Sequence, residues 1–133
     1  MKYRLMRREE AQVVNEVISS TGYYAPVDVG SIGGMVLVAE DDGVIAACVW
    51  VVPSGEISFC DYLAVLPEYQ HTGVGIRLQI KMAVLLGEMG VKSIRFWVHE
   101  SNKEALKMHD TFGSYLESGY RLGVFILGDR YGN

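Results

Sequence analysis

Residues 61–75 read DYLAVLPEYQHTGVG, and this stretch decides the fold. Its first part is apolar enough for a buried strand, and its second part is a loop with Gly73 and Gly75 that opens directly into a helix. Main-chain N–H groups converge at such a helix start, where the helix dipole adds partial positive charge. Glycine also lets the backbone approach a phosphate without an intervening side chain. The stretch therefore predicts an anion-binding loop.

Two common nucleotide-binding loops are excluded by the neighbouring residues. The dinucleotide fingerprint needs a third glycine at the position that Leu78 holds. The phosphate loop of nucleoside triphosphatases needs a Gly-Lys-Ser or Gly-Lys-Thr sequence, which does not follow here. On the loop alone, an ordinary turn between a strand and a helix remains the alternative.

The N-terminal part of the chain predicts a strand, a helix and then three strands in succession. Helical spacing of apolar residues marks the helix, and Asp42-Gly43 between two apolar runs is typical of a tight hairpin turn. The predicted elements are, in order, a strand over 3–6, a helix over 8–20, a loop over 21–34 and strands over 35–40, 44–52 and 56–66.

The C-terminal part continues with alternating helices and strands. We predict a helix over 76–89 capped by Gly90, a strand over 93–99, a helix that begins after Asn102, and two strands within 115–127. This order predicts an α/β fold with a mixed, mostly antiparallel central sheet of six to seven strands and helices on both faces. Residues 1–133 fit one domain.

Composition narrows the class of protein. Half of the residues are hydrophobic, and no apolar run reaches the about 18 residues that a membrane span needs. Charges interrupt the first eight residues, so they do not form a signal peptide. We therefore expect a cytoplasmic protein without a membrane partner, in which Cys48 and Cys60 are reduced core thiols.

The charge pattern argues against nucleic acid as a partner. The net charge is −4, and Arg7-Arg8 is the only basic cluster, whereas polyanion binding relies on grouped Lys and Arg. A mildly acidic surface suits a cationic amine. The three histidines, His71, His99 and His109, lack the spacing of metal ligands, so we expect no metal.

Residues 63–75 closely resemble the acyl-CoA signature of the GNAT superfamily of N-acetyltransferases. That signature is an Arg/Gln-x-x-Gly-x-Gly/Ala loop after a strand that ends in Val-x-Pro-x-Tyr/Phe. Residues 38–43 resemble the second hairpin of the family, and Asn102-x-x-Ala105 resembles the start of its fourth helix, so the resemblance covers nearly the whole chain. It implies transfer of an acetyl group from acetyl-CoA to a primary amine of a small molecule, peptide or protein, by direct attack with both substrates bound.

The resemblance also implies a cofactor site. The strand around Leu63, Ala64 and Val65 would carry a bulge and splay away from residues 93–99, the pantetheine arm would lie in the gap, and Asn102 would reach it from the far side. The N–H of Val65 would face the thioester oxygen. The main-chain amides that would hold the CoA pyrophosphate belong to Gln70, His71, Thr72, Gly73, Val74 and Gly75.

The catalytic groups follow the family pattern less closely. The usual acid of the family is a tyrosine seven residues after the asparagine, and His109 stands there. A histidine can protonate a thiolate near neutral pH, and the alternative is an idle core histidine. This departure slightly favours a second function, a CoA-binding sensor or interaction module that has lost catalysis.

Strand alternation places Asp61 on the same face as Phe59, Leu63 and Val65, and Cys60 on the opposite face. Asp61 can accept an amine proton, anchor a cation or be an ordinary solvated carboxylate. Cys60 is expected to be a buried apolar residue rather than a nucleophile.

The acceptor site is expected between the loop over 21–34 and the final hairpin. Tyr23, Tyr24 and Asp28 in that loop suit an aromatic, mildly acidic pocket for an amine. A homodimer remains open.

Overall fold

A computed structural model describes residues 1–22, 24, 26–31, 33–97, 103, 107, 115–116 and 122–126 of the chain. For Asp61, Trp97 and the residues of the last two ranges, it describes the backbone alone.

The described residues include seven strands and two α-helices with defined bounds. The strands are β1 (Lys2–Leu5), β2 (Met35–Asp41), β3 (Val44–Ser54), β4 (Ile57–Val65), β5 (Ser93–Trp97), β6 (Tyr115–Leu116) and β7 (Leu122–Ile126). The helices are α1 (Ala11–Ser20) and α2 (Val74–Glu88), with short 3₁₀ turns at Arg8–Glu10 and Pro67–Tyr69.

The strands form one sheet in the order β1-β2-β3-β4-β5-β7-β6. Every neighbouring pair is antiparallel except β4 and β5, which are parallel and are joined through α2. The predicted mixed, mostly antiparallel sheet is therefore confirmed. Lys103 and Lys107 are helical, in the segment where a helix is predicted after Asn102.

Two separate cores lie on the two faces of the sheet, because successive strand residues point to opposite sides. On one face α1 buries its apolar stripe of Val14, Val17 and Ile18 against β2, β3 and β4. On the other face α2 buries Leu78, Met82, Ala83 and Leu86. Each fully buried large side chain contributes about 1.5–3 kcal/mol by leaving water. Helices on both faces are confirmed.

Several predicted boundaries move by a few residues. The helix predicted over 8–20 begins with a 3₁₀ turn, and the one predicted from Ile76 begins at Val74. Strand β3 runs through Pro53, which was expected in the turn. The pairing of β3 with β2 ends at Val51, so no residue of β2 lies opposite Pro53. The missing N–H of Pro53 therefore removes no hydrogen bond between these two strands.

The side of the sheet predicted for Cys60 is wrong because β4 contains a β-bulge. Trp50 pairs with Tyr62, whereas the next residue, Val51, pairs with Cys60, so Asp61 is an extra residue in β4. The insertion reverses the alternation on its N-terminal side. Cys60 consequently packs in the α2-side core, the one that Leu63 and Val65 also contact.

The same bulge moves Phe59 away from the face of Leu63. Phe59 pairs with Val52, which packs against the α1-side core, and Phe59 itself is 41% exposed. Cys48 and Cys60 are both buried and form no disulfide, as predicted. Burial raises the pKa of Cys48 to about 12, so this thiol stays protonated and unreactive.

An ion-pair network ties the N-terminal strand to its neighbours. Arg4 donates to both carboxylate oxygens of Glu10 at 2.8 Å and to Glu40 at 2.7 Å. The network joins β1, the turn before α1 and β2. Hydrogen bonding from Arg4 lowers the pKa of Glu10 to about 2.

We predict that this network makes stability depend on pH in the acid range. Because the folded pKa of Glu10 is depressed, its contribution is present above the ordinary value of 4.5 and is lost as pH falls towards 2. Arg4→Gln should lower the free energy of unfolding at pH 7 by about 1 kcal/mol and flatten its decline below pH 4.5. Urea unfolding at several pH values measures both effects.

The control is Lys92→Gln, which removes the pair between Lys92 and Glu56. That pair is 60% and 71% exposed, so little change is expected. An Arg4→Gln protein with the acid-range slope of the wild type would contradict the assignment.

Candidate active site

The described pairing of strand β4 with its parallel partner covers only the first part of the strand. In the described residues, pairing between β4 and β5 runs from Ile57↔Ser93 to Cys60↔Phe96. Strand β4 continues to Val65 and stays paired with β3 throughout. Within the described residues, the stretch of β4 beyond Cys60 therefore has β3 as its one hydrogen-bonded neighbour.

The backbone groups on this stretch follow from antiparallel alternation. Leu66 donates its N–H to the carbonyl of Ala46 in β3 at 2.8 Å. Every second residue of an antiparallel strand bonds to the same neighbour, so the N–H and C=O groups of Ala64 and Tyr62 also point towards β3. Leu63 and Val65 therefore direct their N–H and C=O groups away from β3, into the gap.

Side chains already occupy the two carbonyls in the gap. The Tyr24 hydroxyl donates to the Leu63 carbonyl at 3.2 Å, and Gln70 Nε2 donates to the Val65 carbonyl at 3.3 Å. The N–H groups of the same two residues face the side on which pairing with β5 has ended. The arrangement is suited to an extended ligand that presents carbonyl oxygens to the strand.

The bulge lies at the end of the described pairing between β4 and β5. Asp61 directly follows Cys60, the last residue paired with β5, and a bulge sharpens the local twist of its strand. The resemblance placed the bulge around Leu63–Val65, and the structure has it just before that segment.

An uncapped helix start lies next to the end of β4. Helix α2 begins at Val74 after Gly73, which adopts a left-handed φ of +84°. No side chain caps this end, and its first turn contains no acidic residue. The first helical bond comes from Arg77 N–H to the Gly73 carbonyl, so the preceding amides of Val74, Gly75 and Ile76 are not used within the helix. The role of this segment as an anion-binding loop stays a prediction.

The loop before α2 is held by side-chain contacts that the sequence did not predict. Tyr69 donates to Asp41 Oδ2 at 2.9 Å, which raises the pKa of Tyr69 and ties the loop to the end of β2. Thr72 donates through its hydroxyl to the Tyr69 carbonyl. His71 has a φ of +65°, a conformation uncommon outside glycine that is often found at functional sites.

Arg77 places a cation beside this loop. Its Nη2 donates to the Thr72 carbonyl at 3.0 Å, and an added Cβ at Gly73 would lie 3.1 Å from the same nitrogen. Helical side chains lean towards the N-terminus, and Arg77 is four residues after Gly73, so the spacing was a usable signal that the sequence analysis missed.

Three aromatic rings pack together in and against the α1-side core. Trp50 and Tyr62 stack at 5.2 Å, and Tyr24 meets Tyr62 edge-on at 4.9 Å. Trp50 Nε1 donates to the Gly33 carbonyl at 3.1 Å. The loop over 21–34 is therefore fastened to the sheet at Tyr24 and again at Gly33.

The structure brings some predicted site residues together and separates others. Gln70 contacts Val65, which joins the predicted phosphate loop to the predicted pantetheine strand. Asp28 instead accepts hydrogen bonds from Asn15 and the Gly30 N–H, which lower its pKa, so it shapes its own loop. Tyr23, Asn102 and His109 lie outside the described residues, as does the side chain of Asp61.

The described residues offer neither a metal site nor a membrane-spanning helix. Among them, no group of three His, Cys, Asp or Glu side chains is placed to hold a metal ion. None of the helices in the described ranges is long and apolar enough to cross a membrane.

A family model described as the acetyltransferase (GNAT) family matches residues 13–113, more than half of the chain. The chain belongs to the GNAT acetyltransferase family. The resemblance seen in the sequence is thereby confirmed, and with it acetyl transfer as the general activity. No curated protein sequence matches this chain.

Solved GNAT structures share the fold at low sequence identity. A PaiA N-acetyltransferase from Thermoplasma acidophilum in complex with coenzyme A is similar with a TM-score of 0.81 and 14% identity, over 95% of this chain and 99% of that one. The ribosomal-protein-S18-alanine N-acetyltransferase from Escherichia coli is similar with a TM-score of 0.81 and 16% identity, over 95% and 93%. Ard1 from Thermoplasma volcanium has a TM-score of 0.79 and 16% identity, over 95% and 97%.

Proposed function

We propose that this GNAT protein transfers an acetyl group from acetyl-CoA to a primary amine of a small molecule, peptide or protein. One observation carries the proposal: among the described residues, the edge of β4 beyond Cys60 that faces away from β3 has no strand partner, and the chain continues from it through a short 3₁₀ turn to an uncapped helix start. The edge suits the amide-rich pantetheine arm, and the helix start suits the pyrophosphate. These are adjoining parts of one CoA molecule.

The phosphate end is assigned to the loop before α2. A helix start without a capping side chain offers N–H donors and partial positive charge to an anion. Arg77 adds a cation beside the loop, with the Thr72 carbonyl as its partner. The amides proposed to hold the pyrophosphate are those of Gln70, His71, Thr72, Gly73, Val74 and Gly75.

The pantetheine end is assigned to β4, with Asn102 proposed on the far side. Alternation favours Leu63 and Val65 as the main-chain partners, because Ala64 directs its groups to β3. Ala64 is almost fully buried and contributes a small side chain under the arm. The N–H of Val65 is proposed to stabilise the oxyanion of the thioester carbon.

The chemistry requires an amine that has lost its proton, a stabilised oxyanion and a proton for the leaving thiolate. We assign the last role to His109. Asp61 at the bulge is proposed to accept the amine proton or to anchor a cationic acceptor. Residues 1–133 are proposed to act as one domain, and two buried cysteines without a disulfide suit the reducing cytoplasm.

One residue favours a second candidate function. His109 replaces the tyrosine that the family pattern carries at this position, and loss of the acid would leave a CoA-binding sensor or interaction module. Thiol release from acetyl-CoA in the presence of amines separates the enzyme from the module.

We predict that Gly73→Ala weakens CoA binding through the loop and not through general destabilisation. Gly73 has a φ of +84°, and Gly90 at the other end of α2 has a φ of +89°. Alanine at either position should cost about 1–2 kcal/mol of stability, since left-handed backbone is strained for it. Only Gly73→Ala should lower CoA affinity, by about tenfold or more, measured by calorimetric titration. Equal affinities for the two variants would remove the loop from the CoA site.

We predict that His109→Ala lowers turnover about 100-fold while CoA affinity stays nearly constant, because a general acid acts in the transition state. His109→Tyr restores the usual family residue and should keep appreciable activity. Turnover is followed as thiol release from acetyl-CoA with a panel of amines, beside the melting temperature of each variant. An idle core histidine predicts the reverse: a lowered melting temperature with turnover per folded molecule unchanged.

A further inference from the structure

Tyr24 contacts the edge of β4 that is assigned to the thioester arm. Its hydroxyl donates to the Leu63 carbonyl at 3.2 Å, although the two residues lie 39 positions apart in the chain. Leu63 belongs to the stretch of β4 beyond Cys60, for which the described part of β5 gives no pairing. A loop side chain thus places a hydroxyl at the edge assigned to the thioester arm.

The position of this hydroxyl is well determined. The Tyr24 ring packs partly buried on the α1-side core and meets Tyr62 edge-on at 4.9 Å. Tyr62 in turn stacks on the buried Trp50. Tyr62 therefore supports the Tyr24 ring directly, and Trp50 supports Tyr62. Both this packing and the hydrogen bond to Leu63 orient the Tyr24 hydroxyl.

A tyrosine hydroxyl that already donates its proton can still accept a hydrogen bond. Burial raises the pKa of Tyr24 to about 12, so the group keeps its proton at neutral pH. That proton is engaged by the Leu63 carbonyl, and the oxygen retains lone pairs that can accept a hydrogen bond. The free capacity suits an N–H donor.

We propose that Tyr24 is an acceptor-binding residue whose hydroxyl oxygen accepts an N–H from the incoming primary amine. The hydrogen bond places the amine nitrogen beside the thioester carbon held along Leu63 and Val65. The inference rests on the proposed function and adds to it the residue that orients the amine.

The reaction balances without a change in Tyr24. The amine nitrogen forms a bond to the thioester carbon, and the carbon–sulfur bond breaks. The nitrogen loses one proton to solvent or a base, and the thiolate gains one. Tyr24 holds a second N–H, which remains on the amide product, and keeps its own proton throughout. Its contribution is orientation of the attacking nitrogen.

The test is Tyr24→Phe, which keeps the packed ring and removes only the hydroxyl. The amine probes are a tripeptide with a free amino terminus, spermidine and benzylamine, each with acetyl-CoA and thiol release as the readout. With the best wild-type probe, kcat/KM for the amine should fall by about 10- to 100-fold, the loss of a hydrogen bond to a charged or polarised group. The KM for acetyl-CoA and the melting temperature should stay nearly unchanged.

The matched control is Tyr3→Phe. Tyr3 lies in β1 against the α2-side core, and its buried hydroxyl has no hydrogen-bond partner among the described residues. Removing that hydroxyl should leave kcat/KM unchanged for every probe.

The outcomes separate this inference from the function on which it rests. An active wild type with an unaffected Tyr24→Phe variant overturns the role of Tyr24 and leaves the transferase standing. A loss confined to the KM for acetyl-CoA also overturns it, because the hydroxyl would then serve the thioester and not the amine. A folded wild type that binds CoA but releases no thiol with any probe overturns the proposed function and this inference together.

Discussion

Strand β4 must satisfy its backbone hydrogen bonds on two edges, and within the described residues it finds strand partners on both only as far as Cys60. Beyond that point the edge facing β3 stays paired, while the other edge presents the N–H and C=O groups of Leu63 and Val65. Polar backbone groups in a half-buried position are costly unless they find a partner. The two carbonyls have one each, from Tyr24 and Gln70. The N–H groups of the same edge are the ones for which a ligand is the natural partner.

The extra residue at Asp61 and the loop before α2 turn this local gap into a site with two ends. The bulge twists β4 just after its last described pair with β5. The chain then forms the 3₁₀ turn at Pro67–Tyr69 and reaches the helix start at Gly73. Tyr69 fixes the loop to Asp41 on the neighbouring hairpin. The unpaired edge and the uncapped helix start therefore have a fixed relation, as a long ligand with an amide arm and a diphosphate requires.

Much of this could be predicted from the sequence, because the signals were local. Three signals each act within a few residues. They are the Asp42-Gly43 turn, the helical spacing before Ser20 and the glycines at the start of α2. The facing of Cys60 could not be predicted, since an inserted residue in a strand is visible only once its partner strand is paired. The contact of Tyr24 with Leu63 was equally hidden, because it depends on how a loop folds across the completed sheet.

The central claim is that the free edge of β4 receives the CoA arm. Hydrogen exchange of single amides, followed by NMR with and without CoA, tests it most directly. Bound CoA should slow exchange at Leu63 and Val65 by at least about tenfold more than at Ala64, whose N–H already bonds to β3. Ligand binding also slows exchange through global stabilisation, but that effect is shared by all three amides. A uniform slowing across Leu63, Ala64 and Val65, or none at Leu63 and Val65, would contradict the account.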